Sequence, residues 1–156
     1  MSVRRPADQR VVIVAGDRYR FLATSEDTDG AYALWHAMIP PGGGPPMHVH
    51  SREDERFDVL RGRVRFRVDT ATIDAEPGDS LLAPRGTAHA FRNVTDEPAE
   101  MLLHVTPGGM EEMFTRVGRL ARTPDELPGP VTAEELGRIA RLAPEYGIEV
   151  VGPPID

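Results

Sequence analysis

Two histidines stand two residues apart in the stretch Gly42-Gly-Gly-Pro-Pro-Met-His48-Val-His50-Ser-Arg-Glu-Asp-Glu55, in a chain that has only five histidines. On an extended strand alternate side chains share a face, so His48 and His50 would point to the same side. Glu55 follows across a polar turn and would share its face with two apolar residues, Phe57 and Val59. A carboxylate on such a face is costly to bury alone, and a metal cation is its natural partner. An isolated His-x-His pair, by contrast, is more often two surface histidines in a loop.

A second segment further along the chain contains another candidate ligand. In Gly78-Asp-Ser-Leu-Leu-Ala-Pro84-Arg-Gly86-Thr-Ala-His89-Ala-Phe-Arg-Asn93, Pro84 and Gly86 predict a turn between two strands. His89 would then begin a strand and share a face with Phe91 and Asn93. Taken alone, His89 would more often be a hydrogen-bonded core histidine than a ligand.

Together the two segments resemble the two signature motifs of the cupin superfamily. Each fixed residue of these motifs is present at an allowed spacing: Gly42, His48, His50, Glu55 and Gly62 in the first, and Gly78, Pro84, Gly86, His89 and Asn93 in the second. The stretches Phe21 to Gly30, Arg92 to Ala99, Leu102 to Pro107 and Glu145 to Pro153 are similar to those of single-domain cupins of the quercetin dioxygenase-like group.

The resemblance implies a jelly-roll barrel that holds one metal ion through His48, His50, Glu55 and His89. Three imidazoles and one carboxylate suit a divalent first-row ion, Mn, Fe, Co, Ni, Cu or Zn. The implied reaction is the oxygenation by dioxygen of a flavonol-like or other enolizable small molecule, with Glu55 as the catalytic base. Two alternatives stay open: a non-redox isomerase, cyclase or lyase that uses the ion as a Lewis acid, and a non-catalytic cupin that binds a small molecule.

The elements that must position these residues are short strands separated by turns. From about residue 11 to 107 the chain predicts an all-β, antiparallel sandwich or barrel. Between residues 61 and 69 the alternation is clean, with Val64 and Phe66 on one face and Arg63 and Arg65 on the other. The arginine face is expected to meet solvent or to guard a sheet edge, and a homodimer interface is the sharper hypothesis.

After Gly109 the apolar period becomes helical. The spacing predicts an amphipathic helix over 110–122, packed on the barrel or covering its mouth, and Thr132 to Glu135 predicts a capping box that opens a second helix. We therefore expect a cupin barrel over residues 1–109 and a short C-terminal helical extension over 110–156 in the same domain. His36 and His104 are expected to be ordinary strand histidines outside the metal site.

Composition removes several classes of function. The chain has no cysteine and no lysine, which excludes disulfides, thiolate metal sites, thiol nucleophiles and lysine Schiff bases. The formal net charge is -7 and no basic tail occurs, so neither a nucleic acid nor an anionic membrane is an expected partner. The longest apolar run near the N-terminus, Val11 to Ala15, is too short for a signal peptide or a membrane span, and we expect a cytoplasmic protein.

Overall fold

The computed structural model describes residue 3 and residues 5–156, and within them the chain is built mainly of strands. The twelve strands are β1 (Val11–Val14), β2 (Asp17–Ala23), β3 (Ala33–Ile39), β4 (His48–His50), β5 (Asp54–Arg61), β6 (Val64–Val68), β7 (Ala71–Ala75), β8 (Ser80–Ala83), β9 (His89–Asn93), β10 (Ala99–Thr106), β11 (Arg119–Leu120) and β12 (Ile148–Val150). The helices are α1 (Ser25–Thr28), α2 (Met110–Val117) and α3 (Ala133–Leu142), with 3-10 turns at Pro6–Asp8 and Ala143–Tyr146.

The strands form two antiparallel sheets. One has the order β11-β1-β2-β3-β10-β5-β8 and the other the order β12-β4-β9-β6-β7. Neighbours in each sheet are often far apart in the sequence, as where β10 pairs with both β3 and β5. The predicted all-β, antiparallel jelly-roll architecture is confirmed.

The core lies between the sheets because the strands alternate buried and exposed residues. On β6, Val64 and Phe66 are buried and the arginines between them point outward, as predicted. On β5 the buried set is Glu55, Phe57 and Val59, so an acid shares a face with core residues. The outward Arg65 is bound through two nitrogens to Asp74 on β7, at 2.7 and 2.9 Å. The homodimer hypothesis for this face stays a prediction.

The helical period of the C-terminal segment ends earlier than predicted. The helix expected over 110–122 is α2, which ends at Val117, and the chain then adds β11 to the edge of β1. The helix is followed by Gly118, whose backbone is extended (φ -87°, ψ -159°) and lies against β1, since a Cβ there would overlap the carbonyl oxygen of Ile13. Leu120, which the pattern assigns to the apolar face, is 62% exposed.

The second helix begins where predicted, but its capping differs. Thr132 is the N-cap of α3 and its hydroxyl accepts a hydrogen bond from the N–H of Glu135 at 3.2 Å. The Glu135 carboxylate, however, accepts a hydrogen bond from the N–H of Ala15 at 2.8 Å, in the turn between β1 and β2. The predicted capping box is therefore absent, and the Glu135 side chain instead connects α3 to the barrel through this hydrogen bond.

The C-terminal extension is not purely helical. β12 follows α3 and pairs antiparallel with β4, so that Ile148 lies opposite His50 and Val150 opposite His48. The sequence reading missed this strand, which covers the free edge of the strand that carries the two histidines.

Candidate metal centre

Three strands bring the four predicted ligands together. His48 and His50 come from β4, His89 from β9 and Glu55 from β5, so the cluster joins both sheets. His48 and His89 are direct partners across β4 and β9. One donor atom from each of the four residues lies within 4.8 Å of the others, and this arrangement could hold a metal ion. His50, Glu55 and His89 are buried, and His48 is partly buried.

Backbone carbonyls fix the orientation of two of the imidazole rings. The Nδ1 atom of His48 lies 2.8 Å from the oxygen of Pro46, and that of His89 lies 3.0 Å from the oxygen of Thr87. Because a carbonyl oxygen can only accept, each Nδ1 carries the proton and donates it. In the neutral ring the Nε2 atom then presents a lone pair, which is the form that binds a metal.

The Nε2 atoms converge on the Glu55 carboxylate. Oε2 of Glu55 lies 2.8 Å from Nε2 of His89 and 3.3 Å from Nε2 of His50. A lone pair facing a carboxylate oxygen is repulsive unless the ring gains a second proton or a cation binds both atoms. Two ligands each roughly 2.1 Å from one ion and at right angles would be about 3.0 Å apart, close to the spacing observed. The donor set therefore fits a metal ion.

The electrostatics of the cluster keep two of its ligands in the form that binds metal. Burial alone would raise the pKa of Glu55, but the imidazoles of His50 and His89 lower it to about 2. Burial, with the neighbouring His89 and His50, lowers the pKa of His48 to about 4. Burial also opposes protonation of His50, yet the Glu55 and Glu53 carboxylates raise its pKa above the usual value. At neutral pH Glu55 is therefore ionised and His48 neutral, and His50 is the ligand that a proton competes for.

The cluster lies at the wall of a cavity of about 280 Å³ between the barrel and the two longer helices. His48, His50 and Glu55 are part of this wall, and His89 is not among the lining residues. Most of the remaining lining is apolar and comes from the barrel strands, the approach to β4, α2 and α3: Val14, Ala15, Pro45, Pro46, Phe91, Leu103, Met110, Met113, Phe114, Leu136, Ile139, Ala140, Ala143, Ile148 and Val150. An apolar molecule could be held here with one end at the cluster.

Comparison with known proteins agrees with this geometry. A family model described as a Cupin domain matches residues 35–106, which include all four clustered residues. The polyketide synthase CurC of Streptomyces cyaneus is 31% identical over 107 residues, which cover 67% of this chain and 70% of CurC. The chain belongs to the cupin superfamily. The quercetin 2,3-dioxygenase of Bacillus subtilis is 29% identical over 107 residues, or 68% of this cupin and 32% of the dioxygenase.

Solved structures support the same fold. KdgF from a Halomonas species superimposes with a TM-score of 0.63 at 17% identity, covering 72% of this chain and 98% of KdgF. This cupin spans about a third of the length of the Bacillus dioxygenase, so the likeness concerns one region of that protein. None of the helices among the described residues is long and apolar enough to cross a membrane.

The glycine run before β4, Gly42 to Gly44, packs directly against β9 in this cupin. Gly42 donates a hydrogen bond to the oxygen of Asn93 and the N–H of Asn93 donates to the oxygen of Gly43, both at 3.0 Å. Gly44 has a φ of +135°, and a Cβ there would overlap the carbonyl oxygen of Phe91. The run therefore lies directly against β9 and brings His48 opposite His89.

A second acid near the cluster, Glu53, was not singled out from the sequence. Its side chain is only 6% exposed, and one carboxylate oxygen lies 3.5 Å from Nδ1 of His50. The two atoms form an ion pair at this distance and not a hydrogen bond, and neither has a hydrogen-bond partner among the described residues. The carboxylate nevertheless faces the Nδ1 side of His50, where carbonyls orient the other two rings. The signal that could have found it is the spacing His50-x-x-Glu53 within a turn.

The cavity wall contains one further polar pair, Asp17 and Tyr19, which the sequence reading also missed. The Tyr19 hydroxyl donates to Oδ2 of Asp17 at 3.3 Å, and both residues are buried. Asp17 follows Gly16, and this Gly-Asp pair is typical of a turn between strands. Its alternation with Tyr19 and Phe21, both buried, would have placed it on the inward face of β2.

The remaining histidines lie apart from the cluster. His36 on β3 is 2.9 Å from a carboxylate oxygen of Glu100, and the ring of His104 on β10 lies 5.0 Å from that of Tyr32, tilted by 46°. Neither belongs to the cavity wall.

Proposed function

We propose that this cupin is a mononuclear metal enzyme, a dioxygenase that acts on a small and largely apolar enolizable molecule such as a flavonol. The observation that carries the proposal is the cluster of three imidazoles and one carboxylate at the wall of a mostly apolar cavity. His48, His50, Glu55 and His89 would hold one divalent transition metal. The relative named quercetin 2,3-dioxygenase supports the reaction class.

The chain's own residues supply binding, exclusion of water and proton transfer. When bound, the metal would act as a Lewis acid toward a substrate oxygen and, if redox-active, would permit reaction with dioxygen. Side chains of α2 and α3 would cover the substrate and exclude water from it. Glu55 would accept the enol proton: the O–H bond breaks and its electron pair stays on the substrate, which becomes electron-rich at the adjacent carbon. Both atoms of dioxygen enter the product, so no external reductant is required.

Oxygen uptake by the metal-reconstituted protein tests this proposal. Metal-free protein is loaded separately with Mn, Fe, Co, Ni, Cu and Zn, and oxygen consumption is followed with quercetin as the probe substrate. We expect uptake with at least one redox-active metal, none with Zn, and none in Glu55→Ala. The His36→Gln variant is the matched control and should retain uptake. Absence of uptake in folded protein with one metal per chain would contradict dioxygenation of flavonols.

A second candidate is non-redox chemistry, in which the ion acts only as a Lewis acid and Glu55 moves a proton. The relative named polyketide synthase CurC supports a reaction other than flavonol oxygenation, and this chain covers 70% of CurC but only 32% of the Bacillus dioxygenase. Turnover of an enolizable substrate by the Zn-loaded protein without oxygen would establish this alternative. A metal-loaded protein that binds an enolizable ligand and turns over none would be a binding cupin.

A further inference from the structure

Asp17 is a buried acid in the wall of the same cavity as the metal cluster. It begins β2, directly after the turn of Ala15 and Gly16, and its side chain is 1% exposed. Tyr19 satisfies one carboxyl oxygen, Oδ2, and the other, Oδ1, has no hydrogen-bond partner among the described residues. Burying a polar atom without a partner is costly, and the molecule retains this atom beside a largely apolar cavity.

The glycine run lies directly against the Asp17 carboxyl. A Cβ at Gly43 would lie 2.9 Å from Oδ1 and 3.0 Å from Pro40, so a larger residue there would push the acid out of its place. The turn that carries Asp17 is held to α3 by the hydrogen bond from Ala15 to Glu135. The acid is therefore fixed at the place where the barrel, the glycine run and the covering helix meet.

We propose that Asp17, positioned by Tyr19, binds a hydroxyl group of the substrate that lies away from the enol end. This inference rests on the proposed function, since it assumes that the enol lies at the cluster of His48, His50, Glu55 and His89. Oδ1 forms a hydrogen bond with the substrate hydroxyl, while the Tyr19 hydroxyl donates to Oδ2. The substrate class becomes an enolizable ring system with a second, remote hydroxyl group.

The two ends of the cavity are close enough for one small molecule to reach both. Gly43, which adjoins Asp17, is five residues before His48, so roughly 17 Å of extended chain is the upper limit between them. Asp17, Tyr19 and Glu55 all line this one cavity, and the negative charge of Glu55 contributes, after burial and Asp17, to raising the pKa of Tyr19. A molecule of two or three rings fits within this limit.

Two flavonols that differ in their remote hydroxyl groups test the inference. Both 3-hydroxyflavone and quercetin carry the enol beside a ketone, and only quercetin has further hydroxyls. Dissociation constants are measured by calorimetry without oxygen, on metal-loaded wild-type protein and on Asp17→Leu. We expect wild-type protein to bind quercetin at least about tenfold more tightly, and Asp17→Leu to remove most of that preference, since a hydrogen bond to a buried acid is lost. Binding of 3-hydroxyflavone should change less than about threefold on the same ground.

Further variants separate recognition from structural support. Asp17→Asn keeps an acceptor and should retain part of the preference for quercetin. If Asp17→Leu does not fold, Asp17→Asn is used in its place. Tyr19→Phe keeps the ring that packs on Trp35 and Phe114 and removes only the hydroxyl. It should reduce the preference without changing the metal content. A purely structural role for Asp17 would weaken both flavonols equally.

The possible results distinguish an error in the role of Asp17 from an error in the proposed function. If wild-type and Asp17→Leu proteins show the same preference, the role of Asp17 is wrong and the proposed function stands. If the metal-loaded wild-type protein binds neither flavonol, the proposed flavonol-like substrate and the role of Asp17 are both overturned. If no metal binds, the metal centre itself is wrong, and with it this inference.

Discussion

The Glu53 carboxylate lies 3.5 Å from Nδ1 of His50, on the side of the ring opposite to Nε2, which faces Glu55. A carboxylate in this place holds the ring orientation and raises its basicity, and loss of such a group commonly weakens metal binding by about 10–100-fold. We therefore expect Glu53→Gln to lower metal affinity by about that factor. Competition with a chromophoric chelator at neutral pH measures it.

The control for this prediction is Glu149→Gln. Glu149 lies on β12 beside the same strand but is exposed, so the identical chemical change is made without touching the cluster. An equal loss of affinity in both variants would mean that net charge, and not the contact with His50, controls binding.

Removal of the metal should lower thermal stability. Binding at a free concentration 1,000-fold above the dissociation constant adds about 4 kcal/mol. For a chain of this length that corresponds to about 8–16 °C in the melting temperature. We expect a chelator to lower the melting temperature by this amount in wild-type protein and to have almost no effect on His89→Gln. His36→Gln, outside the cluster, should respond as the wild type does. If the chelator does not change the melting temperature of the wild-type protein, the metal centre is wrong.

Much of the barrel and of the cluster could be predicted because two local patterns carry them. Alternation along β5 and β9 places Glu55 and His89 among core residues, and the spacing of His48 and His50 places both rings on one side of β4. These patterns depend only on the two-residue period of a strand. That the four residues meet in space could be predicted because their spacing resembles known motifs.

The missed features depend on contacts between distant parts of the chain. β11 and β12 are two and three residues long, too short for a pattern, and they exist because β1 and β4 offer free edges. Glu135 turns away from its own helix because the N–H of Ala15, 120 residues away, needs an acceptor. That residues 110–156 belong to one folding unit with 1–109 stays a prediction, which these contacts favour.

The close approach of the glycine run to β9 predicts an unequal cost for two glycine substitutions. Gly30 and Gly44 both have positive φ, +77° and +135°, but only Gly44 lacks space for a Cβ, because Phe91 lies against it. Gly30→Ala should cost about 1–2 kcal/mol of unfolding free energy, from backbone strain alone. Gly44→Ala should cost more than about 3 kcal/mol, because the backbone must also move. Urea unfolding of metal-free protein measures both, and equal costs would mean that the run does not pack on β9.

The titration of Asp17 predicts an unusual dependence of stability on pH. Burial raises the pKa of Asp17 well above its usual 3.8, against the smaller lowering effect of the Tyr19 hydrogen bond. An acid with a raised pKa in the folded state holds its proton more tightly there, so stability falls as the pH rises above 3.8 through the folded value. Asparagine does not titrate. The advantage of Asp17→Asn over the wild type in unfolding free energy should therefore grow between about pH 4 and 8, by at most about 1.4 kcal/mol per pH unit.

Asp96→Asn is the control for this experiment because it makes the same chemical change at an exposed position. Urea unfolding across the pH range, in a chelator, compares the three proteins. If the curves of Asp17→Asn and the wild type stay parallel, Asp17 loses its proton as easily in the folded as in the unfolded chain. The acid would then be charged beside the cavity and would select a cationic substrate group over a hydroxyl, since a buried carboxylate requires a charged partner. A growing difference instead means that Asp17 is held neutral, and a neutral carboxyl can form a hydrogen bond with a substrate hydroxyl without burying a charge.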